Sequence, residues 1–137
     1  MITMQSWMFL DSFEKLRHRI LENNKIDTLV HLGSRAFDQI GGEVVSTCAF
    51  VFKKSISAQE DSSIFVKLTS FKSSTLKEKE FLNKKNYFIK KDFKKIKSVV
   101  GAPILYDLSD RAITLLLTQS KVMDFATPKK GLSTGDN

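Results

Sequence analysis

Residues 31–52 read HLGSRAFDQIGGEVVSTCAFVF, and they hold several side chains that could do chemistry. His31, Arg35, Phe37 and Asp38 lie close together, a Gly41-Gly42 pair follows, and Cys48 sits further on. A phosphate loop needs glycines between a strand and a helix, so that helix N–H groups meet the anion. Here the glycines lead into the β-branched and aromatic run VVSTCAFVF, which argues for a tight turn between two strands. A metal needs ligands at set spacings, and neither His18 nor His31 has a Cys or His at ligand distance in sequence. A Cys–His nucleophilic pair would join Cys48 to His31. Cys48 lies in the middle of an apolar strand, however, where a small buried residue is ordinary. Phe37, flanked by Arg35 and Asp38, has two readings: an aromatic that stacks on a base, or a plug for the core.

These residues need a scaffold, and the flanking pattern supplies one. Ile2-Thr3-Met4 reads as the end of a strand. Asp11 followed by Glu14 forms a capping-box pattern for a helix that ends at Asn23-Asn24. Phe9, Phe13, Leu16 and Ile20 recur at helical spacing and predict its inward face, with Leu10, Arg17 and Leu21 beside it. KIDTLVHL, residues 25–32, is too apolar for a half-exposed edge and reads as an interior strand broken by Gly33. Strands over 44–52 and 64–68 follow, then a short helix over 75–85. Residues 87–106 mix apolar and basic types and read as loop and short strand around Gly101 and Pro103. Ser109 caps a last helix from Asp110 to about Gln119, with Ala112, Ile113, Leu116 and Leu117 inward. Helix, strand, turn and strand make an α/β arrangement.

The 137 residues suffice for one domain with a core, and 42% hydrophobic content fits a folded chain. The core is the ordinary place for most of the 11 Phe. A single cysteine excludes an internal disulfide and points to a reducing compartment. No apolar run approaches the roughly 18 residues of a spanning helix, and the N-terminus lacks signal-peptide order, so the expected location is cytoplasmic and away from membrane. The net charge of +7 is concentrated: ten lysines between Lys72 and Lys97, against Glu78, Glu80 and Asp92, account for all of it. Such a segment attracts polyanions, DNA foremost, unless it is only a solvated face.

Four blocks, SWMFLDSFEKLR, TLVHLGSRAFDQIGGEVVSTCAFVF, GAPILYDLS and KKGLSTGDN, together resemble segments of the large adenine-specific DNA methyltransferases of BREX phage-defence systems. These are relatives of combined restriction–modification (type IIG) enzymes. The blocks occur in the family's order and cover nearly the whole chain. The resemblance implies a Rossmann-like class I methyltransferase sheet, of which residues 1–70 would be the late strands and helices. Residues 71–137 would be a basic extension leading towards a target-recognition region. It implies transfer of a methyl group from S-adenosylmethionine to adenine N6, with the target base flipped out of the duplex.

On that resemblance Phe37 packs on the flipped adenine, and Gly41-Gly42 sets its loop against the DNA side of the sheet. Arg35 joins it at the DNA. Lys90, Lys91, Lys94 and Lys95 contact phosphates without reading sequence, and about four such contacts predict a log–log salt slope of about −4.

The chain also departs from the family. Its glycine-rich donor motif and Asn-Pro-Pro-Tyr motif do not occur here; the two prolines, Pro103 and Pro128, are far apart. The chain therefore reads as an internal piece, with no catalytic residue, cofactor or metal of its own, inactive alone. It would associate with a complementary N-terminal half, or with itself through an exposed sheet edge. The alternative is a nonenzymatic module that binds nucleic acid or a partner, or a decayed gene product, built on the inherited fold.

Overall fold

The structure is a computed structural model and describes residues 1–38, 45–54, 62–90, 94–120 and 122–127. Its centre is a five-stranded mixed sheet of order β1-β3-β2-β4-β5, formed by β1 (Ile2–Met4), β2 (Asn24–Gly33), β3 (Thr47–Lys54), β4 (Ser63–Lys67) and β5 (Tyr87–Lys90). The expected α/β class holds, and the sheet is mixed. β2 pairs in parallel with β4, placing His31 beside Lys67, whereas β1–β3, β2–β3 and β4–β5 are antiparallel.

β2, expected to be an interior strand, is the central one. The sequence-predicted strand over 44–52 starts later, at Thr47, with Val45 and Ser46 before it.

Between β1 and β2 lie two short 3-10 turns, Gln5–Met8 and Asp11–Phe13, and then helix α1 (Glu14–Asn23). The expected Asp11 cap does not form. Asp11 is wound into the second turn, and Phe13, with no capping side chain, precedes the helix.

The inward face of α1 also differs from its apolar pattern. Arg17 and Leu21 are buried, while Phe9, Phe13 and Leu16 are exposed and Ile20 is only partly buried against the core. The guanidinium explains the rotation. Arg17 Nε donates to the Gly101 carbonyl at 2.8 Å, and one terminal nitrogen donates to Trp7 and Leu10 carbonyls at 3.0 and 2.6 Å. A buried cation with three carbonyl acceptors holds the 3-10 turns, α1 and the 101 turn together, and this outweighs burial of a few more aromatics.

The core comprises Trp7, Met8, Leu21, Ile26, Leu29, Cys48, Phe50, Phe65, Ala102, Ile104 and Tyr106. Tyr106 stacks on Phe65 with ring centroids 5.1 Å apart, and Trp7 meets Phe50 edge-on at 5.3 Å. The expectation that most phenylalanines are core is too broad: Phe9, Phe13, Phe37, Phe81 and Phe125 are exposed.

Helix α2 (Ser74–Asn83) occupies the predicted 75–85 region. The short α3 (Lys94–Ser98) and α5 (Val122–Phe125) were not anticipated. Ser109 caps α4 (Asp110–Thr118), accepting from the Ala112 N–H as expected. Of the four residues predicted inward on α4, only Ile113 is buried, where the helix packs against the short α3; Leu116 and Leu117 are exposed.

Candidate functional site

The two parallel strands end together, and ligands of open α/β sheets bind beyond such carboxyl ends. The chain leaves β2 through Gly33, whose φ of +70° is the left-handed region that glycine enters freely. A side chain there would also collide with the loop after β4: a Cβ would lie 3.1 Å from Thr69 Cγ2 and 3.2 Å from its Cα. The two loops therefore touch backbone to backbone.

Past Gly33, the loop carries Ser34, Arg35 (φ +56°), Ala36, Phe37 and Asp38. Ser74 Oγ, in the first turn of α2, donates to the Asp38 carboxylate at 2.8 Å. One residue before Gly33, α2 reaches back again. The buried Lys77 ammonium donates to the Leu32 carbonyl at 2.7 Å and to the Leu68 carbonyl at 2.8 Å. Burial holds its pKa below the ordinary lysine value. The carbonyls at the end of one strand and just past the end of its parallel neighbour thus share one cation, which fixes the root of the Phe37 loop.

The floor of the cleft is a hydrogen-bonded chain across three elements. His31 Nε2 lies 2.6 Å from Gln5 Oε1, and Nδ1 lies 2.8 Å from the Tyr106 hydroxyl. Because the Gln5 oxygen only accepts, the neutral ring carries its proton on Nε2 and receives the Tyr106 O–H on Nδ1. Burial, reinforced by Lys67 and Lys77 and opposed by Asp107, lowers the His31 pKa to about 4. The imidazole is therefore neutral near pH 7. Burial and Asp107 push the Tyr106 hydroxyl well above its usual range.

At the rim, Lys67 Nζ meets Asp107 Oδ2 at 2.6 Å. The cleft between floor and rim has a volume of about 420 Å³ and is lined by Gln5, Phe9, His31, Gly33, Ser34, Ser46, Lys67, Thr69, Tyr106 and Asp107.

The sequence-predicted residues divide as follows. Phe37 is 37% exposed on the tethered loop, and Arg35 is exposed two residues before it. Lys95 is exposed on α3. Lys90 ends β5 and Lys94 begins α3, but their side chains, like the whole of Lys91 and the Gly41-Gly42 turn, lie outside the described residues. Within the basic segment Lys77 is not on a solvated face, because it is buried against carbonyls.

No Cys–His pair exists. His31 stands opposite Cys48 in the β2–β3 register, yet both its nitrogens are occupied, and the Cys48 sulfur accepts from Trp7 Nε1 at 3.3 Å. No cluster of three metal-ligating side chains occurs among the described residues, and none of their helices is long and apolar enough to cross a membrane. Sequence reasoning missed Gln5, Lys67, Tyr106 and Asp107. Their only sequence signal is position: at the end of a strand, or in the GAPILYDLS block.

No protein-family model matches the chain. Two curated relatives do. The adenine-specific methyltransferase PglX of Lacticaseibacillus casei (strain Zhang) is 36% identical over 143 aligned positions that cover 100% of this chain. The adenine-specific methyltransferase BrxX of Escherichia coli O9:H4 (strain HS) is 44% identical over 112, covering 77%. The chain spans 12% and 8% of the lengths of these relatives. By sequence the chain belongs with the PglX- and BrxX-type adenine-specific methyltransferases, corresponding to one segment of these much longer proteins.

Proposed function

We propose that this chain is the late part of the catalytic domain of an N6-adenine DNA methyltransferase of BREX or restriction–modification type, and that it supplies the wall against which a flipped adenine packs. Residues 1–70 correspond in this reading to the late strands of a Rossmann-like class I sheet, and 71–137 to a basic extension towards a target-recognition region. The observation that carries the reading is Phe37: an exposed aromatic on a loop tied down at Gly33, Asp38 and the Leu32 carbonyl, beyond the ends of parallel strands, in a chain related to adenine-specific methyltransferases. Exposed aromatics held in place at low entropic cost are good stacking platforms for bases.

S-adenosylmethionine would serve the assembled enzyme, but the residues present do not fit it. The β1–α1 connection follows an antiparallel edge strand, has no glycine from Gln5 to Phe13, and its Trp7 and Leu10 carbonyls are turned onto Arg17. No methyl-transfer step is assigned to this chain's residues. Its partners in this reading are DNA, in a cytoplasmic setting, and a complementary methyltransferase half or a second copy. The exposed apolar side chains of Phe9, Leu10, Phe13 and Leu16, and those of Ile2 and Met4 on the three-residue edge strand, support such a partner.

The test is a titration of an oligonucleotide carrying 2-aminopurine in place of adenine. The wild-type chain should quench its fluorescence by stacking. Phe37→Ala should abolish the quenching while leaving salt-dependent binding through the lysines. Binding with no salt dependence and no Phe37-dependent quenching would sink the reading.

A further inference from the structure

The cleft beside the Phe37 loop has spare hydrogen-bonding capacity. The hydroxyls of Ser34, Ser46 and Thr69 find no partner among the described residues, although all three residues are partly buried in the cleft wall. The one cation at the rim, Lys67, is held by Asp107 alone, with both side chains about one-third exposed. An ion pair in that setting stabilises little and exchanges partners readily. Three donors without acceptors, around an ammonium whose present acceptor is easily replaced, suit a group with several anionic oxygens. Neutral ligands would leave Lys67 on Asp107 and gain nothing from it.

We infer that this cleft binds a single phosphodiester of the DNA strand that carries the flipped base, with Lys67 exchanging the Asp107 carboxylate for phosphate oxygen and with Ser34, Ser46 and Thr69 donating to the same group. The inference rests on the function proposed above and names a site within it. Ser34 precedes Phe37 by three residues, so the two are at most about 11 Å apart along the backbone. That is within the span from a nucleobase to its flanking phosphates. The buried Lys77 ammonium behind the cleft adds positive potential. The neutral His31 floor adds no charge, and the carboxylate of Asp107 is the element that disfavours anions, both by holding Lys67 and by its own charge once Lys67 turns to the phosphate.

The arrangement makes an asymmetric prediction. Binding of a fluorescent single-stranded oligonucleotide, followed by anisotropy across a salt series, is measured for the full chain. Lys67→Gln should weaken binding about fivefold and reduce the magnitude of the salt slope by about 1. Asp107→Asn should tighten binding, because it removes the competing carboxylate and frees the same lysine. Replacing one phosphate next to the 2-aminopurine by an uncharged methylphosphonate should cost the wild type as much as Lys67→Gln does, and should cost the Lys67→Gln variant nothing further.

Unchanged near-ultraviolet circular dichroism shows that each variant is folded. The opposite signs of the two variants separate binding from a general loss of structure. If both variants bind like the wild type, or both weaken alike, while Phe37→Ala still abolishes 2-aminopurine quenching, the phosphate site is overturned and the methyltransferase reading stands. If no salt-sensitive binding is seen at all, both are overturned. A free nucleoside monophosphate that binds as tightly as the oligonucleotide would assign the cleft to a small anion, and would also overturn the inference.

Discussion

The ammonium of Lys77 donates to the carbonyl of Leu32 at 2.7 Å, from a side chain that is almost wholly buried. With its second bond to Leu68 it closes the carboxyl ends of the two parallel strands, where water would otherwise have to satisfy both carbonyls. Lys77→Met keeps much of the volume but orphans two buried acceptors. Urea denaturation should show a loss of about 3 kcal/mol. Lys79→Met, on the exposed side of the same helix, should change stability by less than about 0.5 kcal/mol.

His31 makes stability depend on pH in a direction that can be worked out. Its folded pKa of about 4 lies below the ordinary 6.5. Between those values the unfolded chain binds a proton that the folded chain refuses. Stability from this site is therefore complete above about 6.5, falls as pH falls through the window, and is gone below about 4. The full effect is about 3 kcal/mol. Carboxylates titrate in the lower part of the same range, so the measurement is a difference. The gap in unfolding free energy between wild type and His31→Gln should shrink from pH 7 to pH 4. A constant gap would contradict the buried, neutral imidazole.

Both examples show what a single sequence displays and what it hides. The interior place of β2 was legible because Ile26, Leu29, Val30 and Leu32 make KIDTLVHL too apolar for a half-exposed edge. The Ser109 cap was legible because capping is local chemistry. The inward face of α1 was not. Phe9, Phe13, Leu16 and Ile20 have the right spacing, but Arg17 wins the buried position through carbonyls of Trp7, Leu10 and Gly101, the last of them 84 residues away. No periodicity rule registers an acceptor so distant in sequence.

The cleft is hidden for the same reason. Gln5, His31, Lys67 and Tyr106 come from four separate segments, and only the strand order brings them together. Phe37 and Arg35 could be singled out because the loop that holds them is continuous in sequence.

Gly33 is the tightest point of that loop. Gly33→Ala must hold an L side chain at φ +70° and place its Cβ 3.1–3.3 Å from three atoms of Thr69, one of them backbone. Strain of this kind costs about 1–3 kcal/mol. The thermal midpoint should fall accordingly. Thr69→Ala in the same chain should recover only part of the loss, because the contact with the Thr69 Cα and the strained φ both remain. Full recovery would mean that the side chain alone sets the close approach.

Cys48 offers a test of the core that is independent of any ligand. Its thiol is fully buried, accepts a hydrogen bond from the Trp7 indole at 3.3 Å and approaches Thr3 Oγ1 at 3.8 Å. Burial raises its pKa above the ordinary thiol value, with the two hydrogen bonds working weakly the other way. Thiolate is the reactive form, so the native chain should resist a disulfide reagent such as dithionitrobenzoate near neutral pH and react only as it opens. The labelling rate should rise with urea in step with unfolding. His31→Gln should leave the native thiol unreactive, since His31 makes no hydrogen bond to it. Rapid labelling of the folded wild type, lost in the His31 variant, would revive the Cys–His pair that the geometry excludes.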